Sequence, residues 1–278
     1  MNIQTKFIDT LIDDIANNRL EFPTLPEVAL RVRKQVDNPD VTTAQIIKAL
    51  GTDAVLTSRL IQVANSALFS GLQPVQNVQA AISRLGLLVV RNLVTSIAMK
   101  LLYQNNAQPG LKKLLQATWL HNTKVASLSH VLARKFTKLR PDEVMLAGLI
   151  HDIGSLPIIK RAAKVPELVA QPALIVQVIE RLHTELGRVI LESWHFPASL
   201  VAVAFEHEDQ RRDSAKIDYV DIVMVANLHS HLGTTHRLAK ADWSIIPIFE
   251  KLGLTPEESI KTIREAHQEV SEVQRLLS

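Results

Sequence analysis

Along the whole of this 278-residue chain, apolar residues recur at spacings of three and four and nowhere alternate over the length of a strand. That period puts them on one face of an α-helix, and the β-branched residues lie inside long mixed runs instead of short strand-like ones. The spacing therefore predicts an all-α protein. Helices are expected near Ile3 to Asn17, Pro26 to Val36, Thr43 to Leu50, Ala54 to Leu68, Val78 to Leu85 and Leu87 to Tyr103. A second series is expected near Leu111 to Phe136, Pro141 to Ile153, Leu174 to Trp194, Ala198 to Glu206, Ile217 to Leu232 and Asp242 to Leu252, and a last helix runs from Thr255 to the end. In the first helix Phe7, Leu11, Ile12 and Ile15 share a face. In the last, Thr255, Pro256 and Glu258 form a capping box with proline at the first position, and Ile260, Ile263, Val270, Val273 and Leu277 face inward.

Gln104 to Gly110 is the most polar, helix-breaking stretch near the middle, and it divides the chain into an N-terminal helical lobe, 1–105, and a second lobe, 106–278. Hydrophobic residues make up 47% and charged residues 21%, with 9 Gly and 12 Pro, which is the balance of a globular protein with its own core. The absence of cysteine excludes disulfides and thiolate metal sites and permits a reducing compartment. Met1 to Lys6 lacks a basic segment followed by an apolar run, so no secretory signal is read and a cytoplasmic protein is expected. The longest apolar stretch, Leu85 to Tyr103, carries Arg91 and Lys100 and reads as a core helix, not a membrane span. The net charge of +3 comes from 31 basic and 28 acidic residues with no long basic block, and aromatic residues are only 4%. Neither a nucleic-acid groove nor a membrane surface is expected as a partner.

The chemistry gathers in the second lobe. An apolar run from Val144 to Ile150 delivers His151-Asp152 and stops at Gly154. An imidazole nitrogen and a carboxylate oxygen side by side at a helix end suit a divalent ion, Zn, Mn or Fe by donor type, which could activate a water. His121, one helix upstream, is the candidate third ligand. It also follows Trp119-Leu120 on a helix that must bury one face, where a lone histidine is more often a hydrogen-bonded core residue. Asp53 reads as the cap of the helix beginning at Ala54, and Asn65-Ser66 as residues that tie down that helix's end. Arg91 needs a carboxylate partner if buried. Trp194 and Pro197 read as packing and punctuation at the end of a long helix, and His229, His231 and His236 as mostly exposed.

Leu25-Pro26, Asp53, Leu60, Asn65-Ser66, Ala81-Ile82, Leu85-Gly86, Trp119 and the run from Ala147 to Gly154 together resemble the HDOD family. That family is a bacterial branch related to the HD superfamily of metal-dependent phosphohydrolases. The resemblance covers nearly the whole chain, with one HDOD unit over about 20–240. It implies an all-helical fold, with an N-terminal helical lobe packed on an HD-like core. The second lobe is also similar in its spacings to the HD-GYP phosphodiesterases. By that similarity His121 stands at the first histidine of the metal set, and His151 and Asp152 form the central pair. His183 stands in a further histidine segment, and His207 in a double-histidine segment whose first member is Glu206. Asn227 occupies the position of the last aspartate ligand. Ser155 stands where many catalytic members carry lysine, and the Gly-Tyr-Pro signature is absent after Glu208.

These residues imply a divalent-metal site (Fe, Mn, Zn or Mg) built on His121, His151, Asp152 and Asn227. A second ion would need both His183 and His207 and a bridging carboxylate. Asn227 is a neutral, poorer donor than aspartate, and Ser155 removes a phosphate-facing cation. The expected function is thus a signalling or regulatory HDOD protein acting through a protein partner or a ligand, with a degenerate HD site. The alternative is a metal-dependent phosphohydrolase acting on a nucleotide or phosphate ester, with His151 and Asp152 as its candidate catalytic pair. A third reading, a scaffold for a protein partner, predicts a sizeable apolar surface patch.

Overall fold

The computed structural model describes residues 3–17, 19–51, 53–69, 71, 73–104 and 109–277, and among them every regular element is helical. The chain divides into two compact units. The first in sequence, Thr24–Leu101, holds α2 (Glu27–Val36), α3 (Thr43–Leu50), α4 (Ala54–Ala64), α5 (Val78–Leu85) and most of α6 (Leu87–Gln104). The other joins the N-terminal residues up to Pro23, which form α1 (Ile3–Ala16), to Leu102–Leu276. Its helices are α7 (Pro109–Phe136), α8 (Pro141–Ile150), α9 (Ser155–Ala162), α10 (Pro166–Val169), α11 (Pro172–Ser193) and α12 (Ala198–Glu206). They continue as α13 (Tyr219–Ser230), α14 (Pro247–Leu252), α15 (Pro256–Glu265) and α16 (His267–Leu277).

The helix α1, expected in the N-terminal lobe, packs on α11 in the larger unit. Phe7 and Leu11 face inward as expected, but Ile12 is exposed and Asp14 takes an inward position. Asp14 can do so because Arg161 Nε lies 2.8 Å from its Oδ2 and Arg19 Nε 3.2 Å from its Oδ1. These hydrogen-bonded cations, Arg161 foremost, hold its carboxyl below the usual range. Residues 105–108, in the polar stretch expected to part the two lobes, lie outside the described residues.

In the smaller unit Asp53 accepts from Leu56 N at 3.0 Å and caps α4. That helix ends at Ala64, four residues before the expected Leu68. Asn65 exchanges two 2.8 Å bonds with the Val75 backbone, and Ser66 Oγ donates to Val63 O at 2.8 Å, so both side chains hold the chain in a turn. Arg91 finds its carboxylate in Asp37, 3.3 Å away. Half of the apolar stretch of α6 is buried within the protein.

In the larger unit α7 packs along α8 and α13. Gly148 permits the first approach, because a Cβ there would lie 2.9 Å from Ala126 Cα and 2.7 Å from Ser129 Oγ. Helix α9 is unanticipated, since Gly154 reads as a stop. The chain nevertheless turns through Gly154 in helical conformation, and Pro157 falls in the first turn, where a missing N–H leaves no helical bond unmade. The stretch Asp242 to Leu252, expected as one helix, is a short 3-10 turn, Trp243–Ile245, followed by α14. Thr255 and Glu258 form the expected capping box, but the last helix breaks at the buried Ala266, whose φ of −89° and ψ of 13° end α15.

Trp194 Nε1 donates to Pro23 O at 3.1 Å, and its ring packs on Phe196. His229 is buried, not exposed, and its Nε2 lies 2.7 Å from Ser259 Oγ, joining α13 to α15. Burial, with Lys124 adding to it, pushes the His229 pKa down from 6.5 to about 4. As pH falls, the unfolded chain therefore takes up this proton before the folded one does. Stability is unaffected above about pH 6.5 and is lost between about 6.5 and 4, by up to about 3 kcal/mol for this group. Urea unfolding between about pH 7 and 4.5 should show His229→Gln losing less stability than the wild type. Equal losses would remove His229 as the cause.

Candidate metal centre

His151 caps α8, and its Nδ1 lies 2.8 Å from Gly148 O. His183, inside α11, places Nδ1 2.6 Å from Ile179 O, and His207, capping α12, places Nδ1 2.9 Å from Val203 O. A carbonyl only accepts, so each of these rings carries a proton on Nδ1 and, when neutral, presents a bare Nε2. All three Nε2 atoms turn to Asp152 Oδ1, at 3.5 Å from His151, 3.3 Å from His183 and 3.4 Å from His207. His121, from α7, approaches the other oxygen, Oδ2, at 3.6 Å. Two Nε2–Nε2 contacts complete the arrangement, His121 to His151 at 3.2 Å and His183 to His207 at 3.3 Å.

Two donor groups result, His121-His151-Asp152 and Asp152-His183-His207, and Asp152 belongs to both. The histidine cluster could hold a metal, and the donor chemistry fits one. The His183 and His207 rings have both committed their N–H to carbonyls, so two lone pairs face each other at 3.3 Å. That contact is repulsive unless positive charge lies between them.

His151 and His207 are fully buried and His183 nearly so. Burial drives the pKa of His151 well down and that of His121 down. Burial also opposes the charge on Asp152, but the surrounding histidines, His151 first, outweigh it and hold the carboxyl well below its usual range. For His207 the balance reverses: burial disfavours its charge, yet the Asp152 carboxylate, which accepts from Nε2 only when the ring is charged, prevails and raises its pKa. The ionised Asp152 thus draws positive charge to the centre.

Asp152, His121 and His183 open onto a cavity of about 250 Å³ that is also lined by Ser155 and Asn227. Its apolar wall includes Leu114, Val176 and Ile179, and among the described residues no lysine or arginine lines it. Asn227 is buried, with Oδ1 3.4 Å from Ser230 Oγ. His231 and His236, expected to be exposed, line the cavity instead, their rings stacked at 3.8 Å and 13°. His231 also lies 5.0 Å from the His121 ring. A signal for this was present: His231 follows Asn227 by four residues, one helical turn along the same face. Glu180, which lines the cavity too, precedes His183 by three.

The geometry has counterparts among known proteins. A crystal structure named "Putative metal-dependent phosphohydrolase", from Shewanella amazonensis SB2B, matches 100% of this chain and 100% of its own at 25% identity, with a TM-score of 0.83. One named "Putative signal transduction protein", from Marinobacter aquaeolei VT8, shares the fold at 19% identity and a TM-score of 0.64, over 99% of this chain and 66% of its own. An uncharacterized protein of Treponema pallidum (strain Nichols) is 22% identical over 246 residues, covering 82% of this chain and 45% of the relative. The chain therefore spans about half the length of that curated relative. The HDOD domain model matches residues 22–210, which takes in α2 through α12 and every member of the two donor groups. The all-helical fold, the His151-Asp152 pair at the end of α8 and this match place the chain in the HDOD domain family.

Proposed function

We propose that this HDOD protein is a metal-binding regulatory module of a signalling pathway, in which the occupied His/Asp centre presents a surface or a cavity to a ligand or protein partner. One observation carries the metal: the facing Nε2 lone pairs of His183 and His207, whose ring protons are held by Ile179 O and Val203 O. His121, His151 and Asp152 would hold one divalent ion, and Asp152, His183 and His207 a second. Four imidazoles to one carboxylate favour Fe, Mn or Zn over Mg, which prefers oxygen donors. Asn227, expected as a weak ligand, is a neighbour of this set, lining the same cavity.

Binding is preferred to turnover because, among the described residues, the lining lacks any lysine or arginine to clamp a transferring phosphoryl group. A specific observation favours a second reading, a phosphohydrolase of nucleotides or phosphate esters. Asp152 is shared between two donor groups, and a carboxylate so placed suits a two-metal site. The name of the Shewanella structure agrees with that reading. A bound ion would supply Lewis acidity and a lowered pKa for water. The chain's own part would be to orient the imidazoles and to keep Asp152 ionised.

Metal analysis of protein purified without chelators or nickel resin tests the proposal. One to two equivalents of Fe, Mn or Zn are expected in the wild type, with His121→Ala and His183→Ala each losing part of them. Saturating metal should also raise the melting temperature of the chelator-treated protein, since only the folded chain assembles the site. No metal as purified and none taken up on titration would end the proposal. Steady turnover of a phosphomonoester or phosphodiester that disappears in His151→Ala would instead select the hydrolase.

A further inference from the structure

Away from the His/Asp centre, cations converge on a second hollow of the larger unit. A cavity of about 260 Å³ lies between the end of α1, the chain that follows it, and α9. Four cations line it, Arg19, Lys160, Arg161 and Lys164, against two carboxylates, Asp14 and Glu21. The two carboxylates are held very differently. Asp14 has a side chain only 11% exposed and is fixed by Arg161 and Arg19, the latter shared with Asp13. The Glu21 side chain is 57% exposed and divides its oxygens between two lysines, Oε2 2.6 Å from Lys160 Nζ and Oε1 3.2 Å from Lys164 Nζ. These lysines hold its carboxyl below the usual range, but both are themselves more than half exposed, and ion pairs so open to water are weak. Glu21 therefore occupies a point where two ammonium groups meet without being locked into it. The dipole of α9 favours Lys160 and Arg161 in its last turn, but it does not account for Arg19 on the opposite wall.

We infer that this hollow binds a small, multiply charged oxyanion of the phosphate class, with Lys160, Lys164 and Arg19 contacting the ligand and Glu21 acting as a built-in competitor that the ligand displaces. Ammonium and guanidinium groups make charge-assisted hydrogen bonds to phosphate oxygens. A ligand with two or more negative charges gains more from the paired lysines than the single charge of Glu21 that it replaces. Asp14 stays on Arg161, so the floor of the hollow is kept. The cavity is smaller than the roughly 300 Å³ at which sites for drug-sized molecules begin, which suits a small ion. None of its residues belongs to either donor group of the metal centre, so the inference stands apart from the metal reading.

Calorimetric titration of the full chain with inorganic pyrophosphate tests the inference through substitutions of opposite sign. Replacing both lysines, Lys160→Gln with Lys164→Gln, should weaken binding at least about tenfold, whereas Glu21→Gln should tighten it by about threefold or more. Lys160→Arg with Lys164→Arg, which keeps both charges, should retain the affinity within about threefold. Added salt should weaken binding by the wild type, because the site is open to solvent. These side chains are exposed, so all the variants should melt within about 3 °C of the wild type. Pyrophosphate held at the metal centre would be indifferent to every one of these substitutions, and equal binding by all the variants would overturn the inference. So would the absence of binding by both the wild type and Glu21→Gln. A Glu21→Gln protein that loses melting temperature and gains no affinity would also overturn it, making these ion pairs a fastening of the chain after α1 and not a ligand site.

Discussion

Asp152→Asn is expected to strip metal from both donor groups at once and to weaken divalent-metal affinity by more than about 100-fold. The carboxylate is the one residue common to the two groups, with Oδ1 facing His151, His183 and His207 and Oδ2 facing His121. Loss of an outer-shell partner of a metal ligand already costs about 10- to 100-fold in affinity, and removal of a shared charged ligand should cost more. The amide also replaces an acceptor with a donor at one of its two positions, which sets an N–H against imidazole nitrogen or metal. His183→Ala touches only one group, so it should reduce the metal content without abolishing it. Elemental analysis of the two variants side by side decides the matter. If Asp152→Asn retains wild-type metal, the ions, wherever they lie, are not held by this carboxylate. If His183→Ala loses as much as Asp152→Asn, the two groups do not fill independently.

Gly154→Ala should be the most damaging of the small substitutions, although it adds a single methyl group and requires no unusual backbone angle. A Cβ at this position would lie 1.9 Å from His183 O and 2.5 Å from Gly187 N. Both obstacles are main chain of α11 and cannot rotate aside, so α9 and α11 must separate. Overpacking of this kind costs about 3 kcal/mol or more, roughly 6 to 12 °C in melting temperature for a unit of this size. The same movement carries His183 away from Asp152, so metal affinity should fall together with stability. Gly253→Ala is the control: its φ of 65° is strained for alanine, but nothing lies within 4 Å. It should lose about 1 kcal/mol and keep the metal. Thermal melts and metal titrations on both variants test the pair, and a Gly154→Ala protein with wild-type metal affinity would show that the α9–α11 contact does not position His183.

The pH effect on His229 comes from a polar group in a core with little else to bond. His229 uses one nitrogen on Ser259 while its Nδ1 has no partner, and burial then makes protonation expensive.

By itself, the order of residues determined the helical class, because an apolar period of three to four admits no other regular element. It determined the local stops and starts whose chemistry is contained within a few residues: Asp53 capping α4, and Thr255 with Glu258 capping α15. It also determined that His151-Asp152 ends a buried helix, with His121 one helix upstream. Only the tertiary structure decided what those residues meet. The inward place of Asp14 depends on Arg161, 147 positions away, and a helical period cannot reveal a partner at that distance. His183 and His207 join Asp152 because Gly154 lets α9 lie against α11, and their Nε2 atoms are bare because carbonyls one turn back hold Nδ1. His231 and His236 line the cavity with their rings stacked, although their mutual spacing reads as solvent-facing. Periodicity states which face of a helix is buried; the close approach of separate helices states against what, and the chemistry of the site belongs to that second fact.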